Sequence, residues 1–182
     1  MPAYILDQSY TAGEDNDDVG NLRRASNNQE ILGQSFTPSV GGNLSKIELY
    51  LKKKGAPTGN IWVEIHADGA DPTAATQLGS DSANVDVSGL STSFAYVAFT
   101  FPSTIAIVPG TEYWILLYGD YTLAVDVGAI WATDTDASGG GYAGGIAGRF
   151  GNGAPAWEDV SGYERLFKEY RDSGGSFFTL MK

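Results

Sequence analysis

Residues 31–67 constrain the fold most. They read ILGQSFTPSVGGNLSKIELYLKKKGAPTGNIWVEIHA, three runs of alternating apolar and polar residues joined by Pro/Gly turns. Period two places Ile47, Leu49 and Leu51 on one side of a strand and Lys46, Glu48, Tyr50 and Lys52 on the other. In the next run Ile61, Val63 and Ile65 go one way and Trp62, Glu64 and His66 the other. A helix buries residues three and four apart, so it does not give this pattern, whereas an antiparallel sheet with one wet face does.

The pattern continues along the chain, with candidate strands at 31–37, 44–53, 60–67, 77–86, 94–101, 111–118, 129–133, 146–150 and 164–170. Pro38, Pro57, Pro72, Pro102, Pro109 and Pro155 fall between these runs or at their ends, where a missing N–H costs no ladder bond. Turn signals recur at roughly the 8–12-residue spacing of a sandwich or barrel. One stretch, 159–172, competes as a helix, because Tyr163, Leu166, Phe167 and Tyr170 have helical spacing. FKEY within it also alternates and runs into a Gly-rich tail, which favours a closing strand. The prediction is one all-β domain, an antiparallel two-sheet β-sandwich over 31–172. An N-terminal arm (1–30) precedes it and a C-terminal tail (173–182) follows.

Composition narrows the function classes. At 182 residues and 42% hydrophobic the chain can bury a sizeable core. Its 24 glycines fit many turns and bulges between short strands. A net charge of -11 argues against holding nucleic acid by its phosphates and sets the surface against anionic membranes. No stretch approaches the ~20 apolar residues of a bilayer-spanning helix. With no cysteine, disulfides and thiolate metal sites are excluded. The first residues, MPAYILDQSYTAGEDNDD, have neither a basic n-region nor an apolar h-region. The expectation is a protein that stays where it is made, leaves by lysis or a non-signal route, or has lost a leader.

The segments QSFTP (34–38), LSKIELYLKKKGAPTGNIWVEI (44–65), GLSTSFAYVAFTF (89–101), VPGTEYWILLYGD (108–120), YAGGIAGRFGNGAPAW (142–157) and LFKEY (166–170) occur in that order. Together, over about 31–170, they resemble jelly-roll-like β-sandwich modules of phage virion and tail-associated proteins and of large bacterial surface proteins. The resemblance implies a jelly-roll-like sandwich and a non-enzymatic structural role as a capsid decoration, head-fibre or tail-fibre component. Location in the virion would follow, with extracellular or cell-surface placement as the alternative. Other virion or assembly proteins would be the partners, in a homo-oligomer whose arm and tail add contacts through Phe177, Phe178 and Leu180.

Residues able to do chemistry are few. His66 is the sole histidine, with neither a Gly-x-Ser-x-Gly elbow nor a second histidine to support catalysis or a metal, so it reads as a surface or interface residue. Asp134 with Asp136, and Glu158 with Asp159, are acid pairs of the kind a glycosidase uses, but they sit in polar loops of an acid-rich chain. The run 14–18 (EDNDD) invites a calcium reading through Asp15, Asp17 and Asp18, and Asp134 with Asp136 a second one. Counted from Asp15, position 12 of an EF-hand would be Ser26 instead of Glu. At most a structural calcium is expected, and no other cofactor. Gly139 to Gly144 matches G-x-G-x-x-G, yet eight of the sixteen residues from 138 to 153 are glycine, which forbids the helix that the motif needs.

Outward aromatics are the main functional lead: Tyr50 and Trp62 on polar strand faces, Trp131, Tyr142, Trp157 and Tyr163 beside loops. Flat aromatics anchor protein interfaces, stack on sugars, or lie under covering loops. A carbohydrate-binding module recognising surface polysaccharide through exposed Trp and Tyr is therefore the rival reading.

Overall fold

The computed structural model describes residues 4–11, 21–22, 30–121, 127–134, 142–151 and 156–172. In chain order these form β1 (Tyr4–Tyr10), β2 (Ile31–Phe36), β3 (Gly42–Lys54), β4 (Asn60–Ala67), β5 (Val85–Asp86), β6 (Ala95–Ile107) and β7 (Tyr113–Gly119). Then come β8 (Gly128–Trp131), β9 (Thr133–Asp134), β10 (Ala147–Phe150), β11 (Trp157–Val160), β12 (Glu164–Arg165) and β13 (Phe167–Asp172). The only helical turn among the described residues is the 3-10 turn Val87–Gly89, capped by Asp86 accepting from the Ser88 N–H.

One sheet has the order β1-β13-β3-β6, with β8 pairing with β3 beyond the end of β13. The other runs β11-β10-β2-β7-β4-β5, and β9 with β12 makes a two-residue ladder. Every pairing is antiparallel. Successive long strands from β2 to β8 alternate between the two large sheets, a jelly-roll-like winding that stacks the sheets as a sandwich.

Alternation decides which side is buried. Ile47, Leu49 and Leu51 of β3, Phe99 of β6 and Phe167 of β13 share one core with Ile61, Val63 and Ile65 of β4, Ile115 and Leu117 of β7, and Leu32 and Phe36 of β2. A register shift between Leu44 and Lys46 lets Leu44 and Ile47, three apart, both turn inward.

Three expectations need correction. Pro102 lies inside β6, not beyond it. Among the described residues, 101–104 have no ladder partner opposite the register shift of β3 and β6 ends its sheet, so the missing N–H breaks no described bond there. The predicted strand 77–86 forms only as β5 plus a bridge from Gln77 to His66. Gly79, at φ +73°, interrupts it, and single bonds from the Leu78 N–H to the Ile65 carbonyl (2.7 Å) and the Ser82 N–H to the Val63 carbonyl (2.9 Å) carry it along β4. Part of the expected arm is a strand, since β1 pairs with β13 through a register shift between Leu6 and Gln8. That shift turns Asp7 onto Arg171. The tail residues Phe177, Phe178 and Leu180 lie outside the described residues.

Candidate functional site

The outer face of the six-stranded sheet carries an apolar, aromatic layer among its polar residues. Register fixes its members: Trp62 lies opposite Tyr118, Glu64 opposite Leu116 and His66 opposite Trp114. Gly33 lies opposite Leu116 on one side and Gly148 on the other. Phe150 pairs with Ile31 and with Trp157. Ile31, Trp114 and Leu116 are buried on this outer side, with Tyr118, Phe150 and Trp157 packed against them as a second apolar cluster.

Two glycines make room for Trp157. A Cβ at Gly148 would come within 2.1 Å of its ring, and one at Gly33 within 2.5 Å. The indole therefore lies flat over the sheet, edge-on to Trp114 at 4.9 Å between centroids. Its N–H donates to Asp159 at 2.8 Å, and the Trp114 N–H to Asp68 at 3.2 Å. Further along, Trp62 and Tyr118 stack with planes 9° apart and centroids 5.7 Å apart, and the Trp62 N–H donates to Glu64 at 3.0 Å.

Acids ring this aromatic layer. Burial pushes the Tyr118 hydroxyl well up, and the nearby charges of Glu64, Asp71 and Asp81 push it further. Burial also raises Glu64, but hydrogen bonds from His66 and Trp62 outweigh it and hold the carboxyl below its ordinary value. His66 corrects the expected surface histidine: it is buried, its Nε2 lies 2.9 Å from Glu64, and Gln77 bridges to its backbone.

The opposite outer face, on the five-stranded sheet, is built from lysines and phenol rings. The Lys46 ammonium sits 3.8 Å from the Tyr170 centroid and 4.7 Å from that of Tyr4, Lys168 is 3.6 Å from Tyr96, and Lys52 is 4.3 Å from Phe94. Tyr50 lies among them, 4.7 Å from Tyr96 and 5.5 Å from Phe94. Glu48 takes Lys46 at 2.7 Å and the Tyr170 hydroxyl at 2.9 Å.

The six predicted aromatics thus separate. Trp62 and Trp157 share the acidic face, and Tyr50 belongs to the lysine face. Trp131 is fully buried, its N–H donating to the Leu166 carbonyl at 2.8 Å, which corrects its placement beside a loop. Tyr142 packs edge-on against Phe167 of the core at 5.3 Å and donates to Gln8 at 3.0 Å. Tyr163 sits, half-buried, in the turn from β11 to β12. The sequence does not mark Trp114, Leu116 and Tyr118 as outward, because YWILLYG of β7 is apolar on both sides.

Of the acids, Asp134 is joined by Glu164, directly across β9 and β12. It accepts from the Tyr10 hydroxyl. Gln34 donates to Glu164 at 2.7 Å; burial, opposed by that bond and helped by the Asp134 charge, pushes Glu164 up to about 7. Beside them the buried Arg165 donates to the carbonyls of Gly33 and Gly148, both at 3.2 Å, and to the Thr133 hydroxyl at 3.3 Å. The second predicted pair separates: Glu158 takes Arg149 at 2.9 Å while Asp159 takes Trp157. Among the described residues no three His, Asp or Glu side chains gather as metal ligands. Asp15, Asp17, Asp18 and Asp136 lie outside the described residues.

No family model matches the chain, and no curated protein matches it.

Proposed function

We propose that the chain is a non-enzymatic structural protein of a phage virion, a capsid decoration, head-fibre or tail-fibre component, that works through protein–protein contact. The observation that supports contact is the outer layer in which half-buried Trp62, Tyr118, Trp157 and Phe150 pack on and beside buried Ile31, Trp114 and Leu116. A sheet with one solvated face normally turns polar residues outward. Here three tryptophans occupy that side, two of them half-buried, in the enriched chemistry of interface anchors. The virion assignment comes from the sequence resemblance and is an analogy of fold. Partners are other virion or assembly proteins and further copies of the chain. The net charge of -11 disfavours nucleic acid and anionic membrane as partners.

The test is co-sedimentation with purified virions carrying or lacking the protein's binding position. A Trp62→Ala, Trp157→Ala double variant that folds but no longer sediments with the particle is the expected result. Undiminished binding overturns the assignment of the face.

One observation favours the carbohydrate reading: Trp62 and Tyr118 stack nearly parallel, half-buried on the outer face, beside Glu64. Glycan-array binding lost in Trp62→Ala would replace protein contact by glycan recognition. Turnover of a glycoside, abolished by Asp134→Asn or Glu164→Gln, would end the non-enzymatic reading.

A further inference from the structure

The two outer faces differ in their balance of charge, although Glu48, paired with Lys46, stands on the lysine side. Four of the six lysines, Lys46, Lys52, Lys54 and Lys168, take outward positions of β3 and β13, although the chain carries twice as many acids as bases. Of the arginines on described strands, Arg165 and Arg171 are buried and Arg149 pairs with Glu158. On the other sheet the outward positions bring Trp62, Tyr118, Trp114 and Trp157 together with Glu64 and Asp159, and Asp71 and Asp81 lie close enough to act on Tyr118. No Lys or Arg occupies an outward position of that sheet's described strands.

We propose that the acidic Trp face of one copy receives the Lys/Tyr face of a second copy, in a head-to-tail contact. This rests on the reading of the chain as a contact protein and names its partner. Indole rings ringed by carboxylates suit ammonium groups, which are drawn both to the ring face and to the acids. The lysines that would supply them are already ordered against Tyr4, Phe94, Tyr96 and Tyr170, so less side-chain freedom is lost on docking. Apposing two acidic faces brings like charges together, which opposes a two-fold contact through that face. The complementary faces lie on opposite sides of the sandwich, so one two-fold axis cannot satisfy both. Repetition of the contact therefore gives a ring or a filament.

Sedimentation velocity of the full chain tests this. Self-association should be at least about tenfold stronger at ~20 mM than at ~0.5 M salt, because facing surface charges are screened. Lys168→Glu damages one face and Asp81→Lys the other. Each variant alone, folded by circular dichroism, should stay monomeric, while an equimolar mixture should form 1:1 dimers and stop there. If Lys168→Glu fails to fold, Lys52→Glu replaces it. Variants that self-associate like the wild type, or a mixture that stays monomeric, overturn the proposal. A wild-type monomer that still sediments with virions overturns only the head-to-tail contact, whereas one that does neither overturns the contact reading as well.

Discussion

Trp157 owes its position to two missing side chains. With Gly148→Ala the added methyl would stand 2.1 Å from the indole and the ring must leave the sheet. The expected cost is about 1–3 kcal/mol, with a red shift in tryptophan emission; an unshifted spectrum and unchanged melting would refute this account of the glycine. Arg165, buried and bonded to two carbonyls and a hydroxyl, ties β12 to β2 and β10. Arg165→Ala should lower stability by about 2–4 kcal/mol in urea melts, since it strands buried acceptors. Two glutamates set the pH response. Burial pushes Glu164 up to about 7, and Glu169 likewise against the pull of Arg171. Their contribution is complete below the unfolded value of 4.5 and is lost as pH rises through 7. Glu48 acts oppositely: burial raises it, but Lys46 and Tyr170 outweigh burial and lower it, as His66 and Trp62 do for Glu64. Those contributions are present above 4.5 and lost as pH falls. Melting temperature should therefore peak near pH 5 and drop by about 2–4 °C by pH 8, a figure discounted because Glu164 is half exposed. Glu164→Gln should flatten that drop; a melting temperature that climbs steadily from pH 5 to 8 would refute the assignment.

Among the elements, β1 is the one that an edge makes vulnerable. Among the described residues it pairs with β13 alone, leaves Ile5, Leu6 and Val40 exposed along a groove of about 250 Å³, and is anchored by Asp7. Asp7 takes Arg171 at 2.7 Å and the Ser39 hydroxyl at 2.5 Å. Asp7→Ala should cost about 1–3 kcal/mol and speed amide exchange along Phe167–Asp172; unchanged exchange there would show that β1 is held by other means. The sequence could announce β3 and β4, whose alternation is clean and whose wet sides carry charge. It could not announce β1, three apolar residues ahead of an acidic run, because its strand character comes from β13, over 150 residues away. Nor could it orient β7 or β8, apolar on both sides, so Trp131 passed for a border residue and Trp114 and Tyr118 went unseen. Only register across the sheet, with Trp62 beside Tyr118 and glycines under Trp157, shows which side is which.

At the scale of the molecule, a sandwich with a packed core presents two chemically different outer faces, one of indoles and acids, one of phenols and lysines. The packed core holds those faces in place, as the proposed role in assembly by contact would require. Hydroxyl-radical footprinting of the protein in its assembled form against the dilute monomer tests this most directly. Trp62 and Trp157 should oxidise several-fold more slowly in the assembly, while Trp131, buried in both states, keeps its low rate. Equal oxidation of Trp62 and Trp157 in both states would contradict the account.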